Sequence, residues 1–127
     1  MKNFIAYEGK VFTIEWYFDA RGRSVACEYF NDLTPPEKVK VLYLFETMGD
    51  FGKIRNEEKF NNEGDQIYAF KPAPHRFLSF FFTGSKIIVT NAFQKKTRKL
   101  PPGEKTRALN YCQDYKERVK KGLYYDK

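Results

Sequence analysis

Residues 66–93 read QIYAFKPAPHRFLSFFFTGSKIIVTNAF, and the reading of this stretch decides the fold. It holds three runs rich in β-branched and aromatic side chains, at 66–71, 75–82 and 86–93, each of ordinary strand length. Pro72-Ala73-Pro74 separates the first two. Gly84-Ser85 offers a residue tolerant of positive φ at the first corner of a tight type II′ hairpin between the second and third. Strands joined this closely predict an antiparallel meander.

Working outward, VFTIEWYF at 11–18 predicts another strand, closed by the turn Asp19-Ala20-Arg21-Gly22. FIAY at 4–7, followed by Glu8-Gly9, can pair with it as a hairpin. Ala26, Tyr29, Phe30 and Leu33 then recur at helical spacing and predict a short helix over 24–33. Thr34-Pro35-Pro36-Glu37 spells a capping box with proline in the first turn, opening a second helix with core residues Val41, Phe45 and Met48. Gly49 and Gly52 predict its end. Residues 53–65 are polar and read as a loop. After Pro101-Pro102-Gly103 a last helix carries Ala108, Cys112, Tyr115 and Val119 on one face and runs to Lys120-Lys121-Gly122. The expectation is one α+β domain spanning 1–127: a central antiparallel sheet, two N-terminal helices and a C-terminal helix, with one sheet face left open.

A hydrophobic content of 42%, with 18% aromatic residues, excludes a disordered chain. No apolar run is long enough for a membrane span or a signal-peptide core, so a soluble, cytoplasmic protein is expected. Cys27 and Cys112, with one histidine in the chain, make no zinc spacing and read as buried free thiols. No cofactor or metal is expected.

The charge is lopsided. Residues 86–127 hold 12 bases and 4 acids, whereas 1–85 hold 11 bases and 12 acids, so the last third carries the whole formal excess of +7. That asymmetry suits a surface meeting phosphates or an acidic partner. Lys71 ends one strand and Arg76 begins the next, and FQKKTRK at 93–99 delivers Lys95, Lys96, Arg98 and Lys99 at the end of the third. Taken singly, each has a plainer role: a charge run solvates a loop, Lys71 guards a sheet edge, Arg76 pairs with a surface carboxylate. A lone histidine after proline, His75, is ordinarily an exposed residue. The aromatics Phe77, Phe80, Phe81 and Phe82 read as core, and Tyr68 as a candidate for stacking on a base.

IYAFK at 67–71, HRFLSFF at 75–81, IIV at 87–89 and FQKKTRKLP at 93–101 together resemble the HigB-like, phage-associated branch of the RelE/ParE toxin superfamily. That branch shows a strand ending E-L-R, a strand opening on Arg before aromatics, and then F-x-K-K-T-x-K-x-P. Ala108 stands where the branch has an Ala in its last helix, and the resemblance covers about residues 11–118, with the Lys-Lys-Thr segment its most specific part. Ala69 and Lys71 stand in place of the Glu and Arg of E-L-R, keeping a cation and dropping the acid.

The resemblance implies a RelE-like fold and a type II toxin whose partners are a cognate antitoxin, mRNA and the ribosome, without a membrane. It implies attack of an RNA 2′-hydroxyl on the adjacent phosphate without metal. For that chemistry Arg76 is the phosphate clamp, Lys71, Lys95 and Lys96 supply charge or a base, and His75 is a candidate acid. Tyr68, Arg98 and Lys99 are candidate RNA contacts. A ParE-like poison of gyrase, which needs surface but no phosphate chemistry, and a catalytically inactive binding module share the same fold.

Overall fold

A computed structural model describes residues 3–96 and 99–125. The chain runs β1 (Ile5–Glu8), β2 (Thr13–Trp16), α1 (Val25–Asn31), α2 (Pro35–Phe51), β3 (Phe60–Asn62), β4 (Tyr68–Phe70), β5 (His75–Phe82), β6 (Lys86–Gln94) and α3 (Pro102–Lys120). The six strands form one sheet in the order β1-β2-β6-β5-β4-β3. The α+β architecture and the meander β4-β5-β6 are as the sequence predicts. The sheet is antiparallel except at one seam, where β2 lies parallel to β6 with Thr13 opposite Lys86 and Trp16 opposite Val89.

The capping box forms. Glu37 Oε1 accepts from the Thr34 backbone N–H at 3.0 Å, and Thr34 Oγ1 accepts from the Glu37 backbone N–H at 3.4 Å. The second helix ends at Gly52, whose φ of 79° suits a residue without Cβ. Gly49 does not end it. This glycine lies inside α2 because the β1–β2 turn packs onto it: Val11 and Phe12 both donate to Gly49 O, and a Cβ on Gly9 would stand 2.2 Å from Gly49 C. The β5–β6 hairpin is also built differently from the expected two-residue turn. Phe82 pairs with Lys86 across a three-residue loop, with positive φ at Thr83 and Gly84.

Alternation along β5 sorts the core into two layers. Phe77 faces α1 and α2 together with Trp16, Val41, Phe45, Phe70 and Val89. Leu78 and Phe80 face the other way, onto Ile67, Ala69, Ile88, Ala108 and Tyr115. The sheet is therefore covered on both sides, because α3 packs on the face expected to be open. The run Phe80-Phe81-Phe82 is the local cause: a strand apolar on every residue needs a partner on each face. A bulge where Ser79 pairs with Val89 and Leu78 with Asn91 shifts the phase of β6, so that Asn91 turns towards α3. Both cysteines are free thiols, half-buried rather than buried.

Candidate functional site

The strand order sets the end of β4, the start of β5 and the end of β6 side by side. Arg76 lies opposite Phe93, Lys71 follows Phe70 opposite Phe77, and the Lys95 backbone N–H donates to Pro74 O at 2.9 Å. Lys71, Arg76 and Lys95 thereby share one edge of the sheet. Burial holds the Lys71 ammonium below its ordinary pKa, with the Arg76 and Lys95 charges acting in the same direction and Glu63 and Glu57 against it. Its Nζ donates to Glu57 O at 3.1 Å.

Arg76 is half-buried. One guanidinium nitrogen, Nη1, donates to His75 O at 3.0 Å, while the enclosed Nε has no hydrogen-bond partner among the described residues. A buried N–H left unmatched costs about 1–3 kcal/mol, and more on a charged group. Burial lowers the Arg76 pKa and Glu63 opposes that shift, but a guanidinium remains charged throughout the physiological range. The fork thus carries a full positive charge, with its Nε enclosed by protein.

The structure separates other candidates from this edge. His75, 6% exposed, projects to the opposite face from Arg76. Its Nε2 lies 2.7 Å from Glu37 Oε2, and its Nδ1 lies 2.6 Å from the Tyr29 hydroxyl. Both ring nitrogens are engaged, so His75 ties β5 to α1 and α2, and the expectation of an exposed surface histidine is corrected. Glu37 accepts from Thr34 and from His75, and these bonds lower its pKa to about 2. Tyr68 also lies on the α2 side, stacked on Phe60 with centroids 5.7 Å apart and edge-on to Phe81 at 5.0 Å. It belongs to an aromatic layer away from Arg76. Lys96 and Lys99 are exposed beyond the end of β6, and Arg98 lies outside the described residues.

Two neighbours of the edge were not foreseen. The stretch 53–65 contains β3, whose Asn61 pairs with Ala69, and Asn61 Oδ1 is buried without a hydrogen-bond partner among the described residues. Just beyond it Glu63 exerts its charge on both Lys71 and Arg76. The turn after Glu63 runs through positive φ at Gly64, Asp65 and Gln66, and is tied down by the Lys105–Asp65 ion pair at 2.9 Å. No periodicity marks these positions, since β3 is three residues long and at the sheet edge. Among the described residues no group of three or more His, Cys, Asp or Glu is placed to hold a metal.

A mixed six-stranded sheet with two N-terminal helices and a C-terminal helix is consistent with the RelE-like class of toxin folds. The sequence model of the phage-derived protein Gp49-like family (DUF891) matches residues 28–113, more than half of the chain, and the chain belongs to that family. The family is toxin-like, of RelE/HigB type, and the matched segment includes every residue of the cationic edge. No curated protein matches the chain. No helix among the described residues is long and apolar enough to cross a membrane.

Proposed function

We propose that the chain is the toxin of a type II toxin–antitoxin pair, of the HigB-like branch, and that it is a metal-independent endoribonuclease cutting mRNA on the ribosome. The observation that carries this reading is the convergence of three cations, Lys71, Arg76 and Lys95, at one end of the sheet. A phosphate oxygen suits such a cluster, and a guanidinium addresses phosphate with a planar set of donors. In the reaction the 2′-oxygen forms a bond to phosphorus, the P–O5′ bond breaks, and a cyclic phosphate and a 5′-hydroxyl result. A base takes the 2′-hydroxyl proton and an acid returns one to the 5′-oxygen.

Arg76 and Lys95 stabilise the charge on the pentavalent phosphate. Lys71, with its lowered pKa, exchanges a proton more readily than an ordinary lysine. Glu63 supplies a carboxylate beside Lys71 and Arg76, although Ala69 occupies the acid's place in the strand motif. Lys96, Arg98 and Lys99 hold the flanking RNA backbone. The cognate antitoxin is the protein partner. The test is to induce the protein in cells, map mRNA 5′ ends and follow plasmid supercoiling. New 5′-hydroxyl ends with unchanged supercoiling are expected, whereas intact mRNA with gyrase-linked DNA breaks would overturn the reading in favour of a gyrase poison.

A further inference from the structure

The outward side of α2 carries Val39, Tyr43 and Phe51, at intervals of four and eight residues, 65%, 66% and 74% exposed. Single exposed apolar residues are ordinary, but Val39 and Tyr43 stand one turn apart, and Phe51 follows two turns on beyond the partly buried Thr47, so three large apolar side chains mark one side of the helix. Two adjoining grooves flank it, sharing Tyr43, Leu44 and Lys59. The charged residues lining them, Lys40, Lys53, Arg55 and Lys59, are all cations. At one end the groove reaches Pro72 and Ala73, the connection between Lys71 and the strand that begins with His75 and Arg76.

We infer that this side of α2 is the docking site for an acidic amphipathic helix of the antitoxin, which lays its apolar face along Val39, Tyr43 and Phe51 and its carboxylates against the four cations. The choice of occupant follows from charge. A second copy meeting the same face would set these cations against their equivalents, an unfavourable pairing, whereas an acidic helix neutralises them. The end of the groove at Pro72-Ala73 brings such a helix against the loop that holds the cationic edge, so docking and restraint of the toxin coincide. This inference rests on the toxin–antitoxin reading above.

The probe is the purified product of the small gene flanking this one, titrated against the intact protein by calorimetry. Val39→Glu combined with Tyr43→Glu, both at exposed positions, is expected to weaken binding at least tenfold with an unchanged thermal transition. Lys40→Glu combined with Lys59→Glu is expected to weaken binding and reduce its salt dependence. Arg76→Ala, which removes the proposed nuclease centre, is expected to leave binding unaltered, so failure of the nuclease reading is seen separately in the 5′-end mapping. Binding within twofold of the parent for both double variants overturns the docking site. So does sedimentation showing a dimer of this chain that the Val39/Tyr43 variant dissolves, because the occupant is then a second copy. No binding by the parent protein overturns both the docking site and the pairing with that gene product.

Discussion

Tyr125 donates a 2.6 Å hydrogen bond to Oε1 of Glu15, a carboxylate only 5% exposed near the other end of the chain. Lys86 approaches the same carboxylate at 3.4 Å and lies over the Tyr125 ring, while Tyr115 and Tyr125 share a hydrogen bond of 2.6 Å. The segment after α3 thus closes over β2 at the end of the sheet remote from Arg76. A buried carboxylate that loses a donor keeps its desolvation cost, so Tyr125→Phe is expected to lower stability by about 1–3 kcal/mol. Urea denaturation measures the loss, and an unchanged midpoint contradicts the closure.

Glu37 gives stability a defined acid limb. Its folded pKa lies at about 2 against an ordinary 4.5, so the native state binds fewer protons than the unfolded chain between those values. The resulting stabilisation is present above pH 4.5 and is lost as pH falls towards 2. Glu37→Gln is expected to be less stable at pH 6 and to show a smaller drop in urea midpoint between pH 6 and pH 3. A variant with the parent's full acid sensitivity would show that other carboxylates govern this limb.

On the nuclease reading, Arg76 sets activity against stability. Arg76→Ala is expected to abolish growth arrest and lower cleavage by about 10²-fold or more, as loss of a charge-stabilising donor does. The same substitution is expected to leave stability unchanged or raise it by about 1 kcal/mol, because the buried Nε that it removes has no hydrogen-bond partner among the described residues. Arg76→Lys restores activity only in part, since a point charge lacks the second donor of the fork. Lys120→Ala with Lys121→Ala, at the far end of α3, is the control. Equal relief of toxicity by that pair means that general attraction to nucleic acid, rather than the strand-end cluster, accounts for the effect.

The contact between Gly9 and Gly49 leaves no room for a methyl group, with backbone 2.2 Å from the position a Cβ would take. Gly9→Ala is expected to destabilise by about 1–3 kcal/mol through forced displacement of the β1–β2 turn from α2. The melting temperature checks this, and an unaltered value would mean that the turn shifts freely.

Signals confined to a few neighbouring residues were legible. Thr34 and Glu37 cap α2 through bonds within one turn, and Gly84 marks the β5–β6 corner, because their chemistry is local. Partner choice between distant elements was not legible: Ala108 and Tyr115 announce an apolar helix face but not the sheet face they cover. The cationic edge was half legible. Lys71, Arg76 and Lys95 follow from strand order, but period-two alternation separates them from His75 and Tyr68, and that alternation was already present in the sequence. Glu63 was hidden because a three-residue edge strand leaves no pattern.

The parallel seam between β2 and β6 joins Thr13 to Lys86, 73 positions apart. Closing a loop of that length costs about 4 kcal/mol in chain entropy before any contact repays it. The first hairpin has no parallel partner until β6 is made, and the same strand leads directly into Lys95. A chain lacking β6 has neither the parallel seam nor the backbone bond from Lys95 to Pro74, so one strand holds both the sheet and the cation cluster together.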